Sequence, residues 1–213
     1  MKRCFTFWRT DPRPRASWVF PLIGILAVTF IACASLYAAP SVGGAEVEKI
    51  SGAGATFPMP IYAKWAARYF KVKGLKLAYQ GIGSGGGIAQ IRAKTVDFGA
   101  SDRPLTAEDL NKDGLIQFPM VIGGVVPVYS IEGVGKGKLK LTPELLTEIF
   151  FGRIKNWSDR RIKAVNSDVR LPDQDITVVH RADGSGTTWI FTTYLSRVSE
   201  QWKEKIGPGK AVS

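Results

Sequence analysis

The sequence predicts an α/β protein with a mostly parallel sheet covered by helices. Three observations predict it. Over residues 46–213, short apolar segments of strand length alternate with segments of helical periodicity, which is the pattern of strands joined by helical crossovers. Four of the junctions are rich in Gly, Ser and Thr and run straight into a helix, as expected at the carboxyl ends of strands, where such sheets carry their ligand loops. The composition, 45% hydrophobic and 22% charged in 213 residues, is that of a globular chain of one or two domains able to bury a core.

Each element has its own signal. Pro58 to Phe70 places Ile61, Trp65 and Tyr69 at helical spacing, and Pro58 suits a first turn because the N–H it lacks would be unpaired there anyway. Leu75 to Gln80 reads as a short strand, Ile88 to Lys94 as a helix and Val96 to Ala100 as a buried strand. Thr106 caps a short helix reaching Lys112. Leu115 to Tyr129 is rich in strand formers and broken at Gly123-Gly124. Thr142-Pro143 begins a helix running to Phe151, with Gly152 as its stop. Ile176 to His180 reads as a strand and Thr188 to Trp202 as an amphipathic segment. No internal repeat or low-complexity tract is evident. A change of lobe is expected within Val125 to Ser130, ahead of the Gly- and Lys-rich connection Gly133 to Lys138, which divides the chain into residues 46–127 and 128–213.

Residues 1–45 read as a signal peptide and are set aside from the fold. Lys2, Arg3, Arg9, Arg13 and Arg15 precede an uncharged apolar run from Trp18 to Ala39, and Gly43-Gly44-Ala45 offers small residues for cleavage before Glu46. The run is also long enough to span a bilayer as an uncleaved anchor. Phe30-Ile31-Ala32-Cys33 has a faint likeness to a lipoprotein box, with lipidation of Cys33 as the minor reading. All these readings export the protein. Both cysteines, Cys4 and Cys33, leave with the leader, so no disulfide is expected in the mature part.

The formal charge of +11 invites a nucleic-acid reading. The leader contributes five of the 29 basic residues and one of the 18 acidic ones. What remains is spread out, with Lys136, Lys138 and Lys140 as its one obvious cluster and no nucleic-acid motif beside it. A solvated basic face that attracts small anions is the better account.

Enzyme motifs fit poorly. Gly81-x-Gly83-x-x-Gly86 matches a dinucleotide fingerprint in form, but Asp97 and Asp102 lie nearer than the acid that fingerprint requires. Gly137-Lys138 lacks both the upstream glycine and the Ser or Thr of a P-loop. One histidine, His180, cannot supply the usual metal ligands, and neither Ser84 nor Ser185 lies in a Gly-x-Ser-x-Gly elbow. No catalytic residue, metal or cofactor is expected.

The four loops share another chemistry. Arg181-Ala182-Asp183-Gly184-Ser185-Gly186-Thr187 combines flexible backbone, two hydroxyls and a full positive charge at a helix start, which suits a tetrahedral oxyanion. Gly54-Ala55-Thr56-Phe57-Pro58, Gly81 to Gly87 and Ala100-Ser101-Asp102-Arg103-Pro104 repeat the theme. One such loop is a cap; four suggest a site.

At these residues the chain resembles the periplasmic phosphate-binding proteins (PstS type) of ABC phosphate importers. The similarity rests on Gly52 to Pro58, Tyr79 to Ser84, Val96 to Asp102, Val121 to Val126 and Arg181 to Thr187, and it runs from about Ile50 to Val212. The resemblance implies a two-lobe periplasmic-binding-protein-like α/β fold with a ligand cleft between the lobes, no catalysis, a periplasmic location and a monomeric state. It implies inorganic phosphate as ligand, and the permease subunits of an ABC transporter with their ATPase as partners. Thr56 and Phe57 fall where the family offers backbone N–H groups, Thr56 adding a hydroxyl. Ser84 matches a further donor and Asp102 the single acceptor. Arg181 matches the charged partner, Ser185, Gly186 and Thr187 a donor nest, and Asp183 the carboxylate that orients the arginine. Gly85 stands where members commonly have a second Ser, and Arg103 is placed either to steady Asp102 or to compete for it. Members of the family continue past the position of Ser213, so the second lobe is expected to be incomplete. A phosphate-ester hydrolase on a similar cradle and a non-functional fragment are the alternatives.

Overall fold

The computed structural model describes residues 2–9, 49–209 and 211. The apolar run Trp18 to Ala39, the cleavage positions Gly43 to Ala45 and Cys33 lie outside the described residues. Among the described residues no helix is long and apolar enough to cross a membrane.

A five-stranded sheet organises the first part of the chain. Its strands are β1 (Lys2–Arg9), β2 (Lys49–Gly54), β3 (Lys76–Gly81), β4 (Phe98–Ser101) and β5 (Leu115–Gly123), in the spatial order β3-β2-β4-β1-β5. β2 pairs in parallel with β3 and β4, whereas β1 runs antiparallel to both β4 and β5. Four strands therefore share one direction, as the sequence predicts, and β1 is the inverted one.

Helices cover both faces. α1 (Met59–Lys73) packs Tyr62 and Ile61 on one face, against Cys4, Ala55, Phe98 and Ala100. α2 (Gly83–Arg92) and α3 (Ala107–Asp113) cover the other, where Ile88, Ile91, Leu105 and Leu110 meet Phe7, Ala53 and Leu115. Strand side chains alternate between faces, so Cys4 and Phe7 enter different clusters. α2 can lie this close to the sheet because Gly87 has no side chain: a Cβ there would stand 2.7 Å from the Ala53 carbonyl and 2.9 Å from that of Ala100. α2 also starts earlier than Ile88, its first turn being the glycine loop itself.

The predicted caps are present. Thr106 accepts from the Asp109 N–H and Thr142 from the Leu145 N–H, which satisfies donors that a helix start leaves unpaired. The later part of the chain is helical: α4 (Pro143–Phe150), α5 (Arg160–Val165), α6 (Gly186–Val198) and α7 (Glu200–Lys205). α4 sits between two apolar clusters. Leu145 and Ile149 pack with Ile154, Ile162 and Leu171, while Leu146 packs with Leu195 and Trp202.

Three expectations are corrected. Lys2–Arg9, set aside with the leader, forms a strand inside the sheet that buries Cys4, Thr6 and Phe7. Its basic residues match a leader's start, but the intervening Phe5 to Trp8 is aromatic and β-branched, and the strand they form lies between β4 and β5. Ile176 to His180 is not a strand. Only the neighbouring bridge between Asn156 and Asp175 forms, and Val179 is 86% exposed; apolar alternation makes a strand only where a partner backbone accepts its hydrogen bonds. Leu115 to Tyr129 keeps its strand only to Gly123, beyond which Val126 and Val128 are exposed.

Candidate functional site

Three of the four donor loops leave the carboxyl ends of β2, β3 and β4, side by side. After β2, Thr56 and Phe57 precede Pro58 at the start of α1. The Ala55 N–H donates to the Ala100 carbonyl at 2.9 Å and so ties this loop to β4. The edge of the Phe57 ring abuts Gly123, where a Cβ would stand 2.6 Å from its Cζ. That anchors Phe57 in the core and leaves its backbone on the loop.

Ser84 and Asp102 form the floor, both buried. The Asp102 N–H donates to Ser84 Oγ at 3.1 Å, so the serine hydroxyl directs its own proton elsewhere. The Ser101 hydroxyl holds the turn by donating to the Arg103 carbonyl (2.8 Å) and accepting from the Arg103 N–H (3.0 Å).

The fourth loop comes from far along the chain. Arg181 grips Asp183 through two parallel bonds, Nε to Oδ1 at 2.6 Å and Nη2 to Oδ2 at 2.5 Å. These donors hold the Asp183 carboxyl below its ordinary range. The pair is open to solvent, its side chains 43% and 41% exposed, which makes it a positioning device rather than a large source of stability. The remaining guanidinium nitrogen, Nη1, donates to Thr56 Oγ1 at 3.2 Å. Ser185 is buried and caps α6, its Oγ accepting from the Thr188 N–H at 3.3 Å. Gly186 lies against the floor, since a Cβ there would stand 2.6 Å from the Asp102 Cβ. The Thr187 hydroxyl donates to Asp102 Oδ2 at 3.4 Å.

Direct contacts thus join Thr56 to Arg181, with Asp183 behind the arginine, and separately join Ser84, Asp102, Gly186 and Thr187. Phe57 and Ser185 flank them. The first turns of α2 and α6 meet here, so two helix N-termini add partial positive charge beside a full one. The Asp102 carboxylate stands beside the Thr187 and Ser84 hydroxyls, which suits an oxyanion that itself carries a proton.

Two contacts were not foreseen. The Gly85 N–H donates to the Gly184 carbonyl at 2.8 Å, and Gly83, at φ +83, has no room for a side chain because of Asp183 Oδ2. Both glycine loops are conspicuous in the sequence, but nothing local says that they touch. His180 is exposed, its Nδ1 3.1 Å from the Arg181 carbonyl. Among the described residues no group of three or more His, Cys, Asp or Glu is placed to hold a metal ion.

The model of a PBP superfamily domain matches residues 39–212. The phosphate-binding protein PstS of Haemophilus influenzae is 56% identical over 168 residues, covering 79% of this chain and 50% of that protein. That of Xylella fastidiosa is 53% identical over 173 residues, 81% of this chain and 48% of the relative. The chain spans about half the length of the curated relatives it matches. Among solved structures, the phosphate-binding protein of a Streptococcus pneumoniae phosphate ABC transporter is 29% identical, with a TM-score of 0.30 over 33% of this chain and 27% of that one.

Proposed function

The chain belongs to the PBP superfamily, and from that premise we propose that it is a non-enzymatic receptor that binds inorganic phosphate outside the inner membrane and delivers it to an ABC permease. The observation that carries the reading is that the 181–187 loop meets the strand-end loops at two places, with Arg181 on Thr56 and with Thr187 on the acceptor Asp102, which also bonds Ser84. Phosphate at neutral pH still has a proton to give Asp102, whereas sulfate has none and would set negative charge against negative charge. A buried polar group left without its hydrogen-bond partner is heavily penalised, so discrimination follows from the acceptor. The names and identities of the relatives support the same ligand.

In this reading Thr56, Phe57, Ser84, Asp102, Arg181, Ser185, Gly186 and Thr187 hold the anion and Asp183 orients Arg181. Residues 46–127 and 128–213 belong to the two sides of the cleft. Charge-assisted hydrogen bonds contribute about 1.5 to 3 kcal/mol each, so several converging donors can offset the anion's desolvation without full neutralisation. Residues 1–45 direct export to the periplasm in this reading, and cleavage before Glu46 takes β1 out of the sheet described above. Isothermal titration of the protein with phosphate, arsenate and sulfate is the test. Binding of phosphate and arsenate with no heat from sulfate is expected; equal binding of sulfate, or no binding of phosphate, overturns the reading.

A further inference from the structure

Hydrogen bonds cross the cleft between the strand-end loops and the 181–187 loop at three places named above. Two of them join site groups to one another: Arg181 Nη1 to Thr56 Oγ1 at 3.2 Å, and Thr187 Oγ1 to Asp102 Oδ2 at 3.4 Å. An entering anion competes for these same donors. The third is different, because the Gly85 N–H and the Gly184 carbonyl bond each other at 2.8 Å and neither carries a side chain that a ligand would engage.

Glycines at both positions permit an approach this close. A Cβ on Gly85 would stand 3.2 Å from the Gly184 carbonyl oxygen and 3.3 Å from its Cα, and a Cβ on Gly184 would stand 3.2 Å from the Gly85 Cα. These neighbours are backbone atoms and cannot rotate away. Any side chain therefore pushes the first turn of α2 from the 181–187 loop by a few tenths of an ångström. The site groups on either side, Ser84 next to Gly85 and Ser185 next to Gly184, are carried along.

We infer that Gly85 and Gly184 are positioning residues, a backbone latch that sets the closed spacing of the cleft and governs how fast phosphate leaves it. The inference rests on the phosphate reading above. It also gives Gly85 a purpose of its own: the hydroxyl that a serine would bring is exchanged for a close backbone approach.

The test uses the full chain and inorganic phosphate as the probe. Release of radiolabelled phosphate, chased with unlabelled phosphate, is measured in the unaltered protein and in Gly85→Ala, Gly85→Ser and Gly184→Ala. Release is expected to quicken by about fivefold or more with association changed less than about twofold, as interface changes act mainly on dissociation. A merely structural role predicts otherwise, because Gly85→Ala within α2 improves helix propensity and would leave Tm unchanged or raised with release unaffected. Unchanged release in folded variants overturns the latch. Hydrogen exchange of the Gly85 amide is the second readout: slow exchange in the unaltered protein and faster exchange in Gly184→Ala support the contact, and fast exchange in the unaltered protein overturns it. If the unaltered protein binds no phosphate, the function reading fails, and the Gly85 amide alone then decides whether the latch forms.

Discussion

Arg181 reaches two sites at once, with Nε and Nη2 on Asp183 and Nη1 toward Thr56. That division of one guanidinium between an orienting carboxylate and the cleft needs its planar fork. Arg181→Ala is expected to weaken phosphate binding by about tenfold or more, the range for truncating a charged hydrogen-bond partner at a binding site, and Arg181→Lys to restore only part of it, both by titration. Because Arg181 keeps the Asp183 carboxyl below its ordinary range, the pair is complete above the usual carboxylate pKa of about 3.9 and is lost only as pH falls through the depressed value. Titrations between pH 5 and 8 should therefore show no pH dependence that Asp183→Asn removes. In the proposed reading Asp102 governs selectivity instead. Asp102→Asn replaces an acceptor-only group with one that also donates, so competition assays should find the gap between phosphate and sulfate narrowed.

Among the helices, α5 shows how a short element is held. Its six residues are too few to be stable alone, yet Asn166 at its end is buried and bonds three backbone groups. Nδ2 donates to the Lys140 and Ile162 carbonyls at 2.8 and 2.9 Å, and Oδ1 accepts from the Lys140 N–H at 2.7 Å. The side chain thereby fastens α5 to the strap that leads into α4. Asn166→Ala leaves these groups unpaired in the interior and is expected to lower the unfolding free energy by about 2 kcal/mol or more, measured by denaturant titration. Asn166→Asp, which turns an oxygen toward two carbonyls, should be no better. α4 was legible because its signals are local, the cap Thr142, Pro143 at the first turn and apolar periodicity lying within a few residues of each other, whereas the segment Thr188 to Trp202 is broken at Ser199, which ends α6 and caps α7. α5 offered no apolar run long enough to be noticed.

At the scale of the whole molecule, β1 joins the sheet together. β5 lies at the end of the order β3-β2-β4-β1-β5 and pairs with β1, so the strand order is continuous only while residues 2–9 are in place. Phe7 is fully buried against Ala53, Ile88, Ile91 and Leu115. Phe7→Ala is expected to destabilise the full chain by about 3 to 5 kcal/mol, by thermal or denaturant unfolding with the intact mass verified. A neutral result would show that β1 does not contribute to the folded state in solution. Protein lacking residues 1–45 should bind more of a hydrophobic dye, because β4 and β5 then present open edges.

The sequence by itself determined the direction of the main strands, the helix starts at Thr106 and Thr142, and the four loops whose donors suit an oxyanion. Each of these depends on residues close together in the chain, where spacing and residue chemistry speak directly. Only the tertiary structure decided that Lys2–Arg9 is a strand, that Ile176 to His180 is not, and that Gly85 meets Gly184 across the cleft. Extended backbone takes its hydrogen bonds from partners distant in sequence, and a close approach between two glycines is fixed by everything packed behind them. A strand's partner and a loop's neighbour are properties of the assembled fold, which no local pattern carries.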